Sequence, residues 1–201
     1  MALKTTPISE VAQWPVALLL LSALLCLLFW SVFPSMVLLL LALLVMFLYR
    51  DPLREIPSSP LGVVSPVDGQ VLKIETATDT RLEREAVVVT ITMPRFGPYI
   101  VRSPVEGKVL EQSYNASANT YSQWIETDEK DELILSMKAG FLAGAPRYRV
   151  VAGERVGQGA HSAVLLFGRQ IQLYLPSNSL IRVKKGDRVL AGEDILAMLV
   201  H

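Results

Sequence analysis

The N-terminal quarter of the chain is a long apolar run with no charged residue between Pro15 and Tyr49. Pro34 interrupts this run, and proline is tolerated in the first turn of a helix but not in its middle. The pattern therefore predicts a helical hairpin, with helices at about 16–33 and 35–49. Aromatic side chains, which favour the headgroup layer of a bilayer, stand at the ends of the two runs: Trp14, Trp30 and Tyr49.

The first predicted helix would be about 27 Å long at roughly 1.5 Å per residue, close to the roughly 30 Å of a bilayer's hydrocarbon core. We therefore expect a transmembrane anchor over residues 1–50, with the number of passes left open. A secretory signal peptide is the alternative, but its apolar core is only about 7–15 residues long and follows a basic segment. Here the run is far longer and only Lys4 precedes it, which favours a retained anchor.

Two arginines, Arg50 and Arg54, follow the apolar run directly. Basic residues at a membrane end tend to lie on the cytoplasmic side. We therefore expect a protein of the inner cell membrane, with its C-terminal domain on the cytoplasmic side after a linker at 51–60.

From residue 61 onward the helical pattern gives way to short apolar runs rich in β-branched residues. The runs at 86–92, 163–167 and 171–175 alternate with glycine, proline, asparagine and aspartate, which are typical of turns. Residues 61–201 are therefore predicted to form one mostly β domain.

Two segments of this domain are repeated within the chain. The sequence Val-Ser-Pro-Val-Asp-Gly-Gln-Val at 64–71 returns as Arg-Ser-Pro-Val-Glu-Gly-Lys-Val at 102–109, and the Gly-acid-Arg-Val turn of 151–159 returns at 183–192. Proline fixes φ and glycine accepts positive φ, so each segment predicts a strand followed by a tight turn. Paired turns of this kind resemble the barrel-sandwich domains of the lipoyl and biotinyl type.

A carrier domain of that type needs a lysine for modification at an exposed hairpin tip. The nearest candidate is Lys130 in Ile-Glu-Thr-Asp-Glu-Lys at 125–130, which lies in neither repeated turn. A charged surface loop explains this segment better than a carrier site does.

Charge and cysteine content exclude several classes of function. The 19 basic and 19 acidic residues of the 201-residue chain give a formal net charge of zero, so no global field favours nucleic acid. Cys26 is the only cysteine and lies in the apolar run, which excludes an internal disulfide and a cysteine-built metal site. We expect no metal and no nucleic-acid partner.

Read in order, these features resemble the short bacterial and archaeal form of phosphatidylserine decarboxylase, over essentially the whole chain. The resemblance is carried by the apolar hairpin and by five segments. They are Tyr-Arg-Asp-Pro-Leu-Arg at 49–54, Ser-Pro-Val-Asp-Gly at 65–69, Ser-Pro-Val-Glu-Gly at 103–107, Phe-Gly at 167–168, and the stretch 183–199.

The resemblance implies an enzyme that makes its own pyruvoyl cofactor. In that family a serine in a Phe-Gly-Ser stretch attacks the preceding carbonyl, the chain splits, and the serine becomes an N-terminal pyruvoyl group. Here Asp68 stands at the family's aspartate position and Gly168 before the scissile bond, but Arg169 replaces the serine and Tyr99 replaces the histidine. Arginine has no hydroxyl, and a phenol with a pKa of about 10 is a poor base at neutral pH. We therefore expect that no pyruvoyl cofactor forms.

Four candidate residues need interpretation, and they are His161, Ser162, His201 and Asp68. His161 and Ser162 are adjacent, but neighbouring residues of a strand point to opposite faces and would not pair there. The other histidine, His201, ends the sequence given. Asp68 is interpreted chiefly as a turn-former, with a retained role in the site as the alternative.

Arg169 has two interpretations that the sequence leaves open. It is either a solvated strand residue or a bidentate ligand for the phosphate or carboxylate of a head group. The leading hypothesis is a catalytically degenerate, decarboxylase-like membrane protein that binds membrane phospholipid or another membrane protein. A homo-oligomer is a further prediction. The alternatives are an active carboxy-lyase with an unrecognised site, and a membrane-tethered adaptor in which the β domain is purely structural.

Overall fold

The computed structural model describes residues 10–29, 31–79, 84–140 and 144–200. The chain divides into two compact units, Met1–Leu53 and Arg54–His201. The first unit contains α1 (Glu10–Phe29) and α2 (Val32–Leu48). Trp30 and His201 lie outside the described residues, as does Lys4.

The predicted transmembrane hairpin is wrong. Within the described residues, neither α1 nor α2 combines the length and the apolar character that a membrane crossing needs. The 17 residues of α2 span about 25 Å. The helix α1 begins earlier than predicted and includes Glu10, Gln13 and Pro15, so its apolar part is about 21 Å long. Both lengths are shorter than the hydrocarbon core of about 30 Å.

The second unit is mostly β, as predicted, and its described residues form fourteen strands. In chain order these are β1 (Gly62–Val64), β2 (Gly69–Asp79), β3 (Arg84–Thr92), β4 (Ile100–Arg102), β5 (Gly107–Asn115), β6 (Thr120–Glu126), β7 (Glu132–Lys138), β8 (Arg147–Tyr148), β9 (Arg155–Val156), β10 (His161–Val164), β11 (Gln170–Pro176), β12 (Leu180–Ile181), β13 (Arg188–Val189) and β14 (Ile195–Met198).

The strands form one large sheet and two small ones. The large sheet has the order β13-β2-β3-β11-β7-β6-β5-β9, and the small sheets have the orders β1-β14-β12 and β4-β10-β8. The large sheet is curled into a half-barrel, which corrects the predicted barrel-sandwich architecture. Its inward faces carry the core, whose largest fully buried side chains include Ile91, Ile125, Leu133, Leu135, Met137, Ile171 and Leu173.

This strand order is that of two interleaved copies of one unit. Repeat A consists of β1–β3 and β11–β14, and repeat B consists of β4–β10. Reading the large sheet from either edge gives equivalent strands, since β13 corresponds to β9, β2 to β5, β3 to β6 and β11 to β7. Repeat B is therefore inserted between the third and fourth strands of repeat A.

The segments repeated in the sequence occupy equivalent places in the two repeats. Gly69 pairs with Val189 in repeat A, and Gly107 pairs with Val156 in repeat B. A Cβ atom on Gly69 would lie 2.4 Å from the carbonyl oxygen of Thr92, and one on Gly107 would meet the next strand equally closely. Glycine is therefore required at both positions because two backbones touch there.

The repeated serine closes each turn from within. The Ser65 hydroxyl donates to the carbonyl of Val67 at 2.8 Å, and the Ser103 hydroxyl donates to that of Val105 at 2.7 Å. Both serines are fully buried, so these bonds satisfy hydroxyl groups that have no access to water. The two turns are also joined, since the amide of Arg102 donates to the carbonyl of Pro66 at 2.8 Å.

Candidate functional site

The candidate site lies where the chain leaves repeat A for repeat B and returns. The outgoing segment is 93–99 and the returning segment is 165–169. The amide of Leu165 donates to the carbonyl of Tyr99 at 2.9 Å, which joins the two segments just before the return turn. Of the positions that the family resemblance singles out, Tyr99, Gly168 and Arg169 therefore meet at this junction.

Tyr99 is a structural part of this junction. Its side chain is 1% exposed, and its hydroxyl donates to the carbonyl of Arg95. Its ring packs against that of Phe167, with the centroids 5.4 Å apart and the planes tilted by 51°. The phenol thus holds the outgoing loop, and its proton is already engaged.

The return turn is tight because Gly168 is packed on two sides. A Cβ atom on this glycine would lie 2.6 Å from Cδ2 of Leu165 and 2.8 Å from the sulfur of Met93. Phe167 precedes it with a φ of +52°, in the left-handed region that a residue with a Cβ rarely adopts. The turn therefore presents Arg169 at a fixed place at the start of β11.

The backbone of Arg169 is held on both sides. Its amide donates to the carbonyl of Lys138 and its own carbonyl accepts from the amide of Met93, both at 3.2 Å. The side chain of Arg169 is exposed, as is that of Arg95 across the junction. Among the described residues, neither guanidinium forms an ion pair.

These two arginines open into one cleft of about 530 Å³, which we call the junction cleft. Exposed aromatic surface adds to its apolar lining, since Phe96 is 65% exposed and Phe167 is 39% exposed. No acidic side chain is among its described lining residues, which are Thr92, Met93, Arg95, Phe96, Gly140, Phe167, Gly168 and Arg169.

Asp68 lies beside this cleft rather than in it. Its Oδ2 atom accepts from the guanidinium of Arg54 at 2.7 Å, and its Oδ1 atom accepts from the amide of Ala191 at 2.7 Å. Arg54 also contacts Glu193 at 3.3 Å, and its own side chain is only 11% exposed. Asp68 therefore joins two distant segments, whereas the bond within its own turn comes from Ser65.

Asp68 opens into a second depression of about 420 Å³, which we call the β13 depression. Its described lining residues are Asp68, Gly69, Gln70, Thr92, Met93, Pro94, Arg188, Val189 and Leu190. Thr92 and Met93 line both depressions. Asp68 and Arg169 thus face neighbouring cavities that share one wall.

His161 and Ser162 do not act on each other. Ser162 is fully buried and donates to Oε1 of Gln123 at 2.5 Å, whereas Nδ1 of His161 lies 3.1 Å from the guanidinium of Arg149. The two side chains are engaged with different partners, as alternation along a strand requires.

Three arginines of this region were missed as site residues by the sequence reasoning. Arg54 was interpreted as a membrane-end charge, and the sequence gives no sign that it reaches Glu193. Arg95 lies in a stretch without a repeated motif. The copied turn does contain Arg188, and comparison of the two copies could have identified it.

Comparison with known proteins agrees with the sequence resemblance. A sequence model of the phosphatidylserine decarboxylase family matches residues 41–197. The chain is 33% identical over 171 residues to a phosphatidylserine decarboxylase proenzyme of Nitrosomonas eutropha, with 79% of each chain covered. It is 32% identical over 173 residues to the proenzyme of Aromatoleum aromaticum, with 80% of each covered. The chain therefore belongs to the phosphatidylserine decarboxylase family.

The residues of this chain do not fit the pyruvoyl group that the resemblance implies. That group is made from a serine, and the residue after Gly168 is an arginine, which has no hydroxyl to attack the preceding carbonyl. The phenol at the histidine position is buried and bound to the carbonyl of Arg95. These residues therefore cannot form that group by the family's route.

Proposed function

We propose that this protein is a non-cleaved member of the decarboxylase family that binds anionic phospholipid head groups in the junction cleft. The proposal rests on the exposed guanidinium of Arg169, whose backbone is held in this cleft where the family resemblance places a serine. The neighbouring Arg95 adds a second positive charge to the same cleft.

The charges in the cleft favour an anionic ligand. A guanidinium presents a planar fork of donors that matches phosphate and carboxylate oxygens, often through two parallel hydrogen bonds. Two such groups lie in the cleft, and none of its described lining residues is acidic. An incoming anion would therefore supply the countercharge.

The apolar part of the cleft favours a ligand that is also amphipathic. Phe96 and Phe167 expose ring surface next to the two arginines. A phospholipid combines a phosphate with hydrocarbon, so it can satisfy the arginines and cover the rings together. This supports a membrane phospholipid as the partner, with the inner membrane as the place of action. The cytoplasmic side stays a prediction and rests on Arg50, because Arg54 is bound within the β domain.

A titration of soluble short-chain lipid tests this proposal. We expect Arg169→Ala to weaken binding of dihexanoyl phosphatidylglycerol about tenfold, the usual value of a charge-assisted hydrogen bond. The full chain is held in a nonionic detergent and titrated by calorimetry. Dihexanoyl phosphatidylcholine, which has no net charge, measures the part of binding that does not depend on net ligand charge.

Arg155→Ala is the matched control, because it also removes one exposed arginine. Arg155 is already paired with Asp128 and lies in repeat B, so its loss should leave lipid binding unchanged. Equal binding by wild type and Arg169→Ala would return Arg169 to the role of a solvated strand residue. Added salt should weaken wild-type binding in the same direction as Arg169→Ala.

A further inference from the structure

The two repeats allow each charged residue of one to be compared with its counterpart in the other. In repeat B, β6 and β7 are joined by a short turn in which the amide of Thr127 donates to the carbonyl of Asp131 at 2.9 Å. In repeat A the same ladder position joins the amide of Met93 to the carbonyl of Arg169. Met93 therefore corresponds to Thr127, and the next residue, Pro94, corresponds to Asp128.

In repeat B the aspartate at this position, Asp128, neutralises an arginine. Arg155, at the start of β9, donates to both carboxylate oxygens of Asp128, at 2.8 and 2.6 Å. The same hydrogen bond holds the pKa of Asp128 below its usual value. The guanidinium of Arg155 therefore already has its anion within the protein.

In repeat A the equivalent arginine has no such anion among the described residues. Arg188 takes the place of Arg155, since it precedes the valine that pairs with the turn glycine in β13 as Arg155 does in β9. Proline stands where the aspartate would be. Among the described residues, no acidic group is paired with Arg188, which is exposed and lines the β13 depression.

The acid that is present in the β13 depression does not replace the missing partner. Both carboxylate oxygens of Asp68 are occupied, one by Arg54 and the other by the amide of Ala191. Both oxygens of Asp68 are therefore engaged, and Asp68 shares the guanidinium of Arg54 with Glu193. Among the described residues, Arg188 is paired with no carboxylate.

The turn before β13 adds positive charge that repeat B lacks. Both turns contain a glycine with positive φ, +98° at Gly186 and +95° at Gly153, so their backbones are equivalent. Before the glycine, repeat A has Lys184 and Lys185, where repeat B has only valine and alanine. The equivalent turns of the two repeats therefore differ in charge.

We propose that the β13 depression is a phosphate-binding site in which the guanidinium of Arg188 is the principal ligand. Phosphate oxygens match the fork of arginine, and the two lysines of the turn raise the local concentration of anions. The phosphate is either free or part of a lipid head group. The site neighbours the junction cleft, since Thr92 and Met93 line both, but its principal ligand Arg188 lines the β13 depression alone.

Substitutions in the two repeats test the site. In a full chain that carries Arg169→Ala, so that the junction cleft is weakened, inorganic phosphate and dihexanoyl phosphatidylglycerol are each titrated by calorimetry. We expect Arg188→Ala to lower the affinity about tenfold, as loss of a charge-assisted bond does. Pro94→Asp should have a similar effect, because it rebuilds the internal ion pair of repeat B.

Arg155→Ala in the same background should leave both affinities unchanged. If inorganic phosphate binds as tightly as the lipid, free phosphate is a sufficient ligand. If the lipid binds more tightly, the ligand is the phosphate of a lipid head group. Either result supports the site. Equal effects of Arg188→Ala and Arg155→Ala, or no binding of either probe before substitution, would overturn the proposal. Arg188 lines the β13 depression and is not among the lining residues of the junction cleft, so a difference between Arg188→Ala and Arg155→Ala can appear whether or not lipid binds in that cleft.

Discussion

Arg54→Ala is expected to lower the free energy of unfolding by about 3 kcal/mol, at the lower end of the range for breaking a buried ion pair. The side chains of Arg54 and Asp68 are only 11% and 14% exposed, and Arg54 also binds Glu193. Removal of the guanidinium leaves two carboxylates close to each other without their shared cation. A urea titration of the full chain, followed by circular dichroism of the β domain, measures the change.

The exposed ion pair of repeat B provides the comparison. Arg155 and Asp128 are 58% and 61% exposed, so water and salt screen their interaction. We expect Arg155→Ala to leave the urea midpoint almost unchanged. Equally small effects of Arg54→Ala and Arg155→Ala on the free energy of unfolding would contradict this prediction. The ion pairs of Arg54 would then not be what holds residue 54 to Asp68 and Glu193.

Gly69→Ala is expected to destabilise the domain by roughly 2–3 kcal/mol, as overpacking of a close contact does. The added methyl group would lie 2.4 Å from the carbonyl oxygen of Thr92 and 2.8 Å from Cγ2 of Ile91. Strands β2 and β3 would have to separate at the point where the two depressions share their wall. The same urea titration measures the effect.

Gly157→Ala is the matched control for this change. There the nearest atom to an added Cβ, that of Ala160, lies 4.0 Å away, at ordinary contact distance. We expect a change in the urea midpoint close to zero. Equal stability of the two variants would contradict the close approach of β2 and β3.

The turns of this domain could be predicted from sequence because their causes are local. Proline before a valine, an acid and a glycine restricts four consecutive residues, and the copy at 102–109 indicated that the turn is used twice. The family could be predicted for a related reason, since several such short segments occur in a fixed order.

The interleaving of the repeats could not be predicted in this way. It depends on the pairing of β11 with two strands, β3 and β7, that are both far from it in the sequence. The contact between Arg54 and Glu193 joins residues 139 positions apart, and no local pattern marks it. Arg54 was therefore assigned to the membrane end, because it follows the apolar run closely in the sequence.

The transmembrane prediction failed for a different reason. The apolar run was measured from Val16, as if the helix began there, and the second run was joined to it through Pro34. The helix α1 instead begins at Glu10, and α2 begins before Pro34, at Val32. Two helices were predicted, but their bounds, on which the length available for a membrane crossing depends, were not predicted correctly.

The family resemblance singled out Asp68 and Arg169 as residues of interest, and the structure places them in neighbouring depressions with a common wall. Arg169 was singled out by comparison with the family, and the same comparison could not find Arg95 or Arg188. Arg188 lies in the copied turn, and its lack of a partner is apparent only when the two repeats are compared in three dimensions.

The bond between Gly168 and Arg169 is expected to stay intact, and the intact mass of the purified full chain tests this most directly. The measurement must be made under denaturing conditions, because β11 is hydrogen-bonded between β3 and β7 and would hold a cleaved chain together. We expect one species of 22.2 kDa. Two fragments that meet between residues 168 and 169, with a blocked N-terminus on the smaller one, would contradict the account.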